Sequence, residues 1–185
     1  MTHEEWLVAD DAIEMIAALR AFHSQDTARL DQQLQRYFLC NCRHFWKLLP
    51  QESSRRGVEV AERFLMGQAT IEEFKRAEYH AEGAAFLIDY NCEPESNQQW
   101  INAVRQMPES DLRAMARCPA TMTLEIIREL LRLAAYFVDF AMLYPGFTKN
   151  WWPTEEYRPL LSVPLLREFF PHPFARHGTA AWADR

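Results

Sequence analysis

The prolines of this chain mark where its regular segments end. Ten are present, and they fall between stretches in which apolar residues recur every three or four positions. A proline inside a helix removes a hydrogen bond and clashes with the preceding turn, so this placement predicts a series of helices with prolines at their boundaries. Leu and Ala dominate over Val, Ile and Thr, and no Asn-Gly or Asp-Gly hairpin signal occurs, which also favours helix over strand.

The predicted fold is all-α, a single-domain bundle of about six to seven helices with a Pro/aromatic-rich C-terminal tail. Residues 1–146 are predicted to form the helical body, in which the chain's 49% hydrophobic share is enough to build a core. Residues 147–185 are predicted to pack on this body as a wrapping tail. The tail is expected to contain one short helix, at about Val163 to Phe170, and to fray over its last residues.

Several helix starts are predicted from capping residues. Thr2 with Glu5, and Thr70 with Glu73, have the spacing of a capping box. Gly67 is predicted to end a helix, because glycine adopts the left-handed conformation that helix ends use. Two further caps are predicted, at Asp10 or Asp11 and at Ser53 or Ser54.

The stretch FLCNCRHFWKLL, from Phe38 to Leu49, raises the possibility of a metal or redox site, since two cysteines and a histidine lie within five positions. The stretch belongs to a predicted long helix that runs from Thr27 to Leu49. At about 100° per residue, Cys40 and Cys42 point about 200° apart and cannot bind one metal ion from the same helix. Cys42 lies on the apolar stripe and is predicted to be a small buried hydrophobe, so no metal site is predicted here.

Cys40 is the candidate reactive thiol. Arg36, Arg43 and His44 lie three or four positions from it on the predicted helix. Positive neighbours stabilise a thiolate and lower its pKa, so a lowered pKa is expected for Cys40.

Asp139 is a polar position in the most apolar predicted helix, which runs from Thr121 or Thr123 to about Tyr144. It shares a polar stripe with Arg132. If that stripe is buried, Asp139 needs either a cationic partner such as Arg132 or protonation.

The tail segment REFFPHPFARHG offers two interpretations. His172 lies between two prolines, which hold it in an extended, presented loop, and together with His177 it is a candidate for metal or phosphate chemistry. The structural interpretation, which is favoured, is a docking arm whose Phe169, Phe170 and Phe174 fill grooves between helices.

His172 and four further residues are candidates for partner binding. Arg55 and Arg56 lie in the first turn of a predicted helix, where cations oppose the helix dipole, so a partner or a phosphate group is one explanation for them. Trp151 and Trp152 lie in the loop-like NWWP stretch, and tryptophans are common interface anchors. The alternative for the tryptophans is that they cover the core.

The net charge and the apolar segments limit the partners and the location that are expected for the protein. The net charge of -6 would repel a polyanion, so nucleic acid is disfavoured as a partner. The acidic start MTHEEWLVADD is unlike a secretory leader, and the longest apolar run, LAAYFVDFAMLY, is shorter than the ~20 residues of a spanning helix. A cytoplasmic protein without a membrane segment is expected, with its four cysteines kept as thiols.

Four segments together resemble a large paralogous family of uncharacterised bacterial proteins that is abundant in planctomycetes. EEWL resembles the family's Trp-Leu start, and CNCRHFWKLL resembles its Cys-Cys-Arg-Arg-x-Trp-x-Leu-Leu element. SRRGVEVAERF is similar to a Ser-Arg-Arg-Ala-Val-Glu-Val-Ala-Glu-Arg element, and LLREFFPHPF to a Leu-Leu-Arg-Asp/Glu-x-Phe-Gly-Asn-Pro-Phe element. Asn41 splits the family's cysteine pair, and Pro171-His172 replaces Gly-Asn. The resemblance implies segment boundaries and no particular activity.

The predicted function is a non-catalytic helical interaction module whose partner is another protein. No cofactor is predicted, and an enzyme is less favoured than a binding protein because no catalytic constellation is found. One alternative is a thiol-based redox sensor or metal-dependent enzyme that uses Cys40 or the region of His172 and His177. The other is a nucleic-acid-associated regulator that acts through Arg55 and Arg56.

Overall fold

The structure is a computed structural model of the chain. The residues it describes are 1–25, 27–49, 51–89, 98–99, 102–103, 106–116, 124–143, 153 and 155–174, with the backbone alone for 88–89, 115–116 and 124–131. Within these ranges every regular element is a helix and there is no strand, which confirms the all-α prediction. The predicted boundary between body and tail falls at residues 146 and 147, which lie outside the described residues.

The helices follow the apolar segments closely. Their bounds are α1 His3–Val8, α2 Ala12–Phe22, α3 Thr27–His44, α4 Glu52–Leu65, α5 Ile71–Asp89, α6 Glu109–Ala116, α7 Leu124–Leu143 and α8 Val163–Phe169. Two 3-10 helices add to them, Trp46–Leu48 and Glu155–Leu160. The second was not predicted, and it contains Pro159.

Both capping boxes are confirmed. The Thr2 hydroxyl accepts a hydrogen bond from the Glu5 amide at 3.2 Å, and Thr70 and Glu73 repeat the arrangement. Asp11 caps α2 by accepting from the amide of Ile13 at 2.9 Å. These caps depend only on residues two or three positions apart, so local sequence is sufficient to predict them.

The predicted cap of α4 is wrong. The helix begins at Glu52 and its N-cap is Gln51, whose side chain makes no capping hydrogen bond. Ser54 lies inside the first turn with its side chain fully buried, so its hydroxyl faces the protein interior instead of the helix end. Gly67 ends the helix region as predicted, with a φ of 70°, in the left-handed region that glycine adopts at little cost.

The helix predicted to reach Leu49 is shorter than expected. α3 ends at His44, and a 3-10 turn follows. Phe45, Leu48 and Leu49 are all buried. A 3-10 turn places residues three apart on one side, so the tighter winding turns Phe45 and Leu48 inward together. Burial of these side chains therefore overrides the continuation of the α-helix.

The core lies between α3, α4, α5 and α7, with α4 packed along α5 and α5 along α7. Gly57 marks the closest approach, since a Cβ there would lie 2.7 Å from Met142 Sδ and 3.1 Å from Ala81 Cβ. Ala81, Ala84 and Ala85 are buried, as expected for small residues that let another helix approach. Cys42 is fully buried in the same core, which confirms its prediction as a structural residue.

A buried asparagine attaches the C-terminal segment to α3. Asn41 is fully buried, and its Oδ1 accepts a hydrogen bond from the Ser162 amide at 2.8 Å while its Nδ2 donates to the Tyr37 carbonyl at 2.7 Å. The Tyr37 hydroxyl donates to the Ser162 carbonyl at 3.2 Å. Ser162 also caps α8 by accepting from the Leu165 amide. One side chain of the body therefore sets where the tail helix begins.

The aromatic residues of the tail pack on the body, as the docking-arm interpretation predicts. Phe170 is buried, and Phe169 and Phe174 pack against the core. The Phe174 ring contacts Trp6 edge-on at 5.9 Å between centroids. Near this contact the buried His23 donates from Nε2 to the Pro173 carbonyl at 2.7 Å. Residues 155–174 are therefore held at both their start and their end.

In the ranges described, no helix combines the length and the apolar character needed to cross a membrane.

Substitution of Asn41 by Ala is expected to lower the free energy of unfolding by about 2 kcal/mol, because the partly buried Ser162 amide loses its acceptor. Urea denaturation measures the change. Gln32→Ala, at an exposed position of the same helix, is the matched control and should change the value by less than about 0.5 kcal/mol. Equal stabilities of the two variants would contradict the role given to Asn41.

Candidate functional site

A groove of about 660 Å³ lies between α3, the end of α4 and the tail. This volume is within the range of small-ligand and side-chain binding sites, about 300–1,000 Å³. We call it the Cys40 groove. Its lining residues come from three elements: Gln33, Arg36, Leu39, Cys40, Glu62, Leu65, Met66, Glu168, Phe169, Pro171 and His172.

Helical spacing explains the wall that α3 provides. Arg36 and Cys40 are four residues apart and lie one above the other, whereas Cys42 points to the opposite side and into the core. The α4 wall ends at Met66, because Gly67 turns the chain away and the Gln68 amide closes the helix on the Arg63 carbonyl at 2.7 Å. The tail wall depends on the docking of Ser162 at Asn41.

The floor of the groove is apolar and its rim is charged. Leu39, Leu65 and Phe169 supply apolar surface, and Met66 is 59% exposed at the edge. Glu168 and His172 are exposed on the tail side. An apolar concavity with a few polar groups around it is suited to holding an apolar group and orienting it by charge.

The pKa of Cys40 is shifted in the direction opposite to the one expected. Burial of the thiol raises its pKa, the Glu62 carboxylate raises it further, and the positive charge of Arg43 acts against both. Arg43 is itself engaged with Glu62, donating from Nε to Oε1 at 3.0 Å and from a second nitrogen to Oε2. The expected lowering of the pKa by basic neighbours is therefore wrong, because burial of the thiol, together with a carboxylate from α4, outweighs the arginine of α3.

The structure brings only part of the predicted site together. Cys40 and His172 line the same groove, although they are far apart in the sequence. Arg55 and Arg56 lie on a different surface, along α4. Trp151, Trp152 and His177 lie outside the described residues.

Potential metal ligands do not cluster in the described part of the chain. Among the side chains it includes, no group of three or more His, Cys, Asp or Glu residues is placed to hold a metal ion. The Cys40 groove contributes Glu62, Glu168 and His172 around its rim, without such convergence.

Asp139 forms a second electrostatic feature, between α5 and α7. Its Oδ1 is buried without a hydrogen-bond partner. Burial, followed by the charges of Glu82 and Glu78 on α5, raises the pKa of Asp139 to about 7. Burial and the nearby Asp139 also raise the pKa of Tyr157 to about 12. The sequence left two alternatives for Asp139, an ion pair with Arg132 or protonation. A raised pKa favours protonation.

Sequence reasoning missed the wall of the groove that α4 provides. Glu62, Leu65 and Met66 occupy the last turn of α4 and the position after it. Their spacing is that of any amphipathic helix, so no local signal separates them from the remaining α4 residues.

Comparison of the chain with protein-family models, with curated proteins and with solved structures finds no match. The resemblance to the planctomycete-type family therefore stays a prediction. The functional argument depends on the geometry described above.

We expect Cys40 to react with iodoacetamide at pH 7.5 more slowly than free cysteine, because its raised pKa keeps it protonated. Peptide-level mass spectrometry reads Cys40 separately from the other cysteines. Glu62→Gln removes a negative charge and frees Arg43, so it should speed the reaction at least about twofold. A wild-type rate equal to or above that of free cysteine would overturn this assignment.

Asp139 should make the protein less stable as the pH rises. Its pKa is about 7 in the folded chain and 3.8 in the reference state, so the folded state binds the extra proton between these values. The stabilising contribution is complete below about pH 4 and is lost as the pH passes through about 7.

Asp139→Asn removes this dependence. The difference in free energy of unfolding between the variant and wild type should increase by about 1 kcal/mol from pH 5 to pH 8, after allowance for solvent screening. This increase corresponds to about 2–4 °C in Tm. Thermal melts at both pH values measure the gain. Asp10→Asn, at an exposed acid, should show no such gain, and identical pH profiles for the two variants would refute the assignment.

Proposed function

We propose that this protein is a non-catalytic interaction module that binds a segment of a partner protein in the Cys40 groove. The observation that carries the proposal is the groove itself, which presents apolar side chains from α3, α4 and the tail in one concavity. Apolar surface in a concave site is where a partner's anchor side chain gains most from leaving water.

The rim indicates the chemistry of the partner segment. Within the described residues, Glu168 forms no ion pair, and it lies at the exposed tail side of the groove. The Glu62 carboxylate forms a hydrogen-bonded ion pair with Arg43, so its negative charge is already compensated. A segment with an apolar anchor followed by a lysine or arginine would place its cation at Glu168. The chain's net charge of -6 would also favour the approach of a basic segment.

The form of the groove favours a polypeptide over a small molecule as the occupant. Its edge is formed by Met66, which is largely exposed, and Phe169, both of which can adapt to different side chains. Interfaces of this kind are enriched in aromatic residues and methionine. The apolar anchor would occupy the floor at Leu39 and Leu65.

A thiol-based redox sensor is the second candidate, since Cys40 and His172 line one groove. His172 would act as a proton acceptor for the thiol. The raised pKa of Cys40 opposes this function because the reactive form is the thiolate. A labelling rate above that of free cysteine would favour this candidate.

Selection from a phage-displayed library of random peptides tests the proposed function. Enriched peptides are expected to carry an apolar residue followed by Lys or Arg. Their binding should fall about tenfold or more with Met66→Glu, which places a charge at the edge of the groove. The matched control is Leu7→Glu, at another exposed hydrophobic residue that does not line the groove, which should bind as wild type does.

Charge reversal at Glu168 gives a second readout. Glu168→Lys should weaken the peptides selected on wild type and enrich peptides with an acidic residue in place of the basic one. Failure to enrich any peptide, or equal binding by Met66→Glu and wild type, would refute binding at the Cys40 groove.

A further inference from the structure

A second concave surface lies along the exposed side of α4, outside the Cys40 groove. It consists of two adjoining grooves of about 470 and 520 Å³, which share Glu52, Arg56, Val60 and Arg63. The first groove reaches Trp46, and the second reaches His80 on α5. We call the pair the arginine grooves.

The cations of this surface come from two helices. Arg55, Arg56 and Arg63 belong to α4, and Arg76 belongs to α5. Arg56 and Arg63 are seven residues apart and so lie on the same side of α4, about 10 Å from each other along the axis. The positive charge is therefore a property of side chains spread along the grooves and does not depend on the amides of a helix end.

Among the described residues, three of these four guanidinium groups have no carboxylate within ion-pair distance, although acidic residues line the same grooves. Within the described part of the chain, Arg55, Arg56 and Arg76 form no ion pair, and the nearest carboxylate oxygen to Arg63 is that of Glu73 at 3.9 Å. The Nε of Arg55 is buried without a hydrogen-bond partner. This nitrogen is covered by protein, so a ligand in the grooves would contact the exposed guanidinium groups of Arg56 and Arg76 instead.

Acidic residues also line the grooves and limit which ligands can bind. The grooves are lined by Glu52, Glu59 and Glu73 as well as by the four arginines. Glu73 already accepts a hydrogen bond from the Thr70 amide at 2.9 Å. The local balance is thus only slightly positive. A ligand with a single negative charge gains little here, whereas a group with several charges and many acceptor oxygens can engage two or more arginines at once.

We propose that the arginine grooves bind a small molecule that carries a multiply charged phosphoryl group, such as a diphosphate. The planar guanidinium presents paired donors that match phosphate oxygens bidentately. The groove volumes suit a small ligand. A nucleic-acid polymer is a poorer occupant, because the chain's net charge of -6 repels a long polyanion.

Titration calorimetry with inorganic pyrophosphate at low ionic strength tests the proposal. Wild type should bind, and Arg56→Gln should lower the affinity about tenfold or more, since Arg56 lines both grooves. Arg76→Gln should also weaken binding. Lys75→Gln is its matched control, because it removes the same charge from the adjacent exposed position, which does not line the grooves, and it should change the affinity less than about twofold.

Three results would overturn the proposal. The first is no heat of binding with pyrophosphate, and the second is an equal loss of pyrophosphate affinity in Lys75→Gln and Arg76→Gln. The third is tighter binding of a single-stranded oligonucleotide than of pyrophosphate. The second would show a diffuse charge effect, and the third a polymer site. Folding of each variant is checked by its thermal melt, which exposed Arg56 and Lys75 should not change. Because the Cys40 groove shares none of the arginine-groove cations, the outcome is independent of the peptide selection.

Discussion

The structure depends on one buried polar contact between the helical body and the tail. Asn41 donates to α3's own backbone and accepts from the Ser162 amide, so that both ends of its side chain are satisfied in the core. Buried polar groups cost free energy unless they are paired, so only one placement of the tail is favourable.

Tail docking creates the candidate site. Glu168, Phe169 and His172 reach the Cys40 groove because Ser162, held at Asn41, caps α8 and the loop after α8 is held by His23 at Pro173. The groove is thus a product of long-range contacts. Its apolar floor and partly compensated rim favour recognition of another molecule over thiol chemistry, since burial and Glu62 keep Cys40 protonated.

Features that depend on near neighbours were predictable. The capping boxes at Thr2 and Thr70 and the left-handed Gly67 involve a few adjacent residues, and all three are confirmed. The burial of Cys42 was equally accessible, because its place on an apolar stripe follows from helical geometry. In these cases local propensity and tertiary packing agree.

Predictions failed where a distant segment changed the environment. Arg43 lowers the pKa of Cys40 as the sequence predicts, but burial of the thiol and then Glu62, on the next helix, raise that pKa and reverse the direction of the shift. Ser54 has the chemistry of a helix cap, yet packing turns it inward. The end of α3 at His44 likewise follows from the burial of residues beyond it. Each of these outcomes depends on which helix lies alongside, and that information is absent from a local pattern.

The sequence by itself determined the all-α class, most helix boundaries and the amphipathic faces, because helix periodicity and caps act over a few residues. Only the tertiary structure decided that Cys40 and His172 share a groove, that Arg55, Arg56 and Arg76 line two other, adjoining grooves, and that Asp139 lies half-buried near two glutamates. The physical reason is that charge, burial and desolvation depend on distance in space, and residues from different helices become neighbours only when the chain is packed.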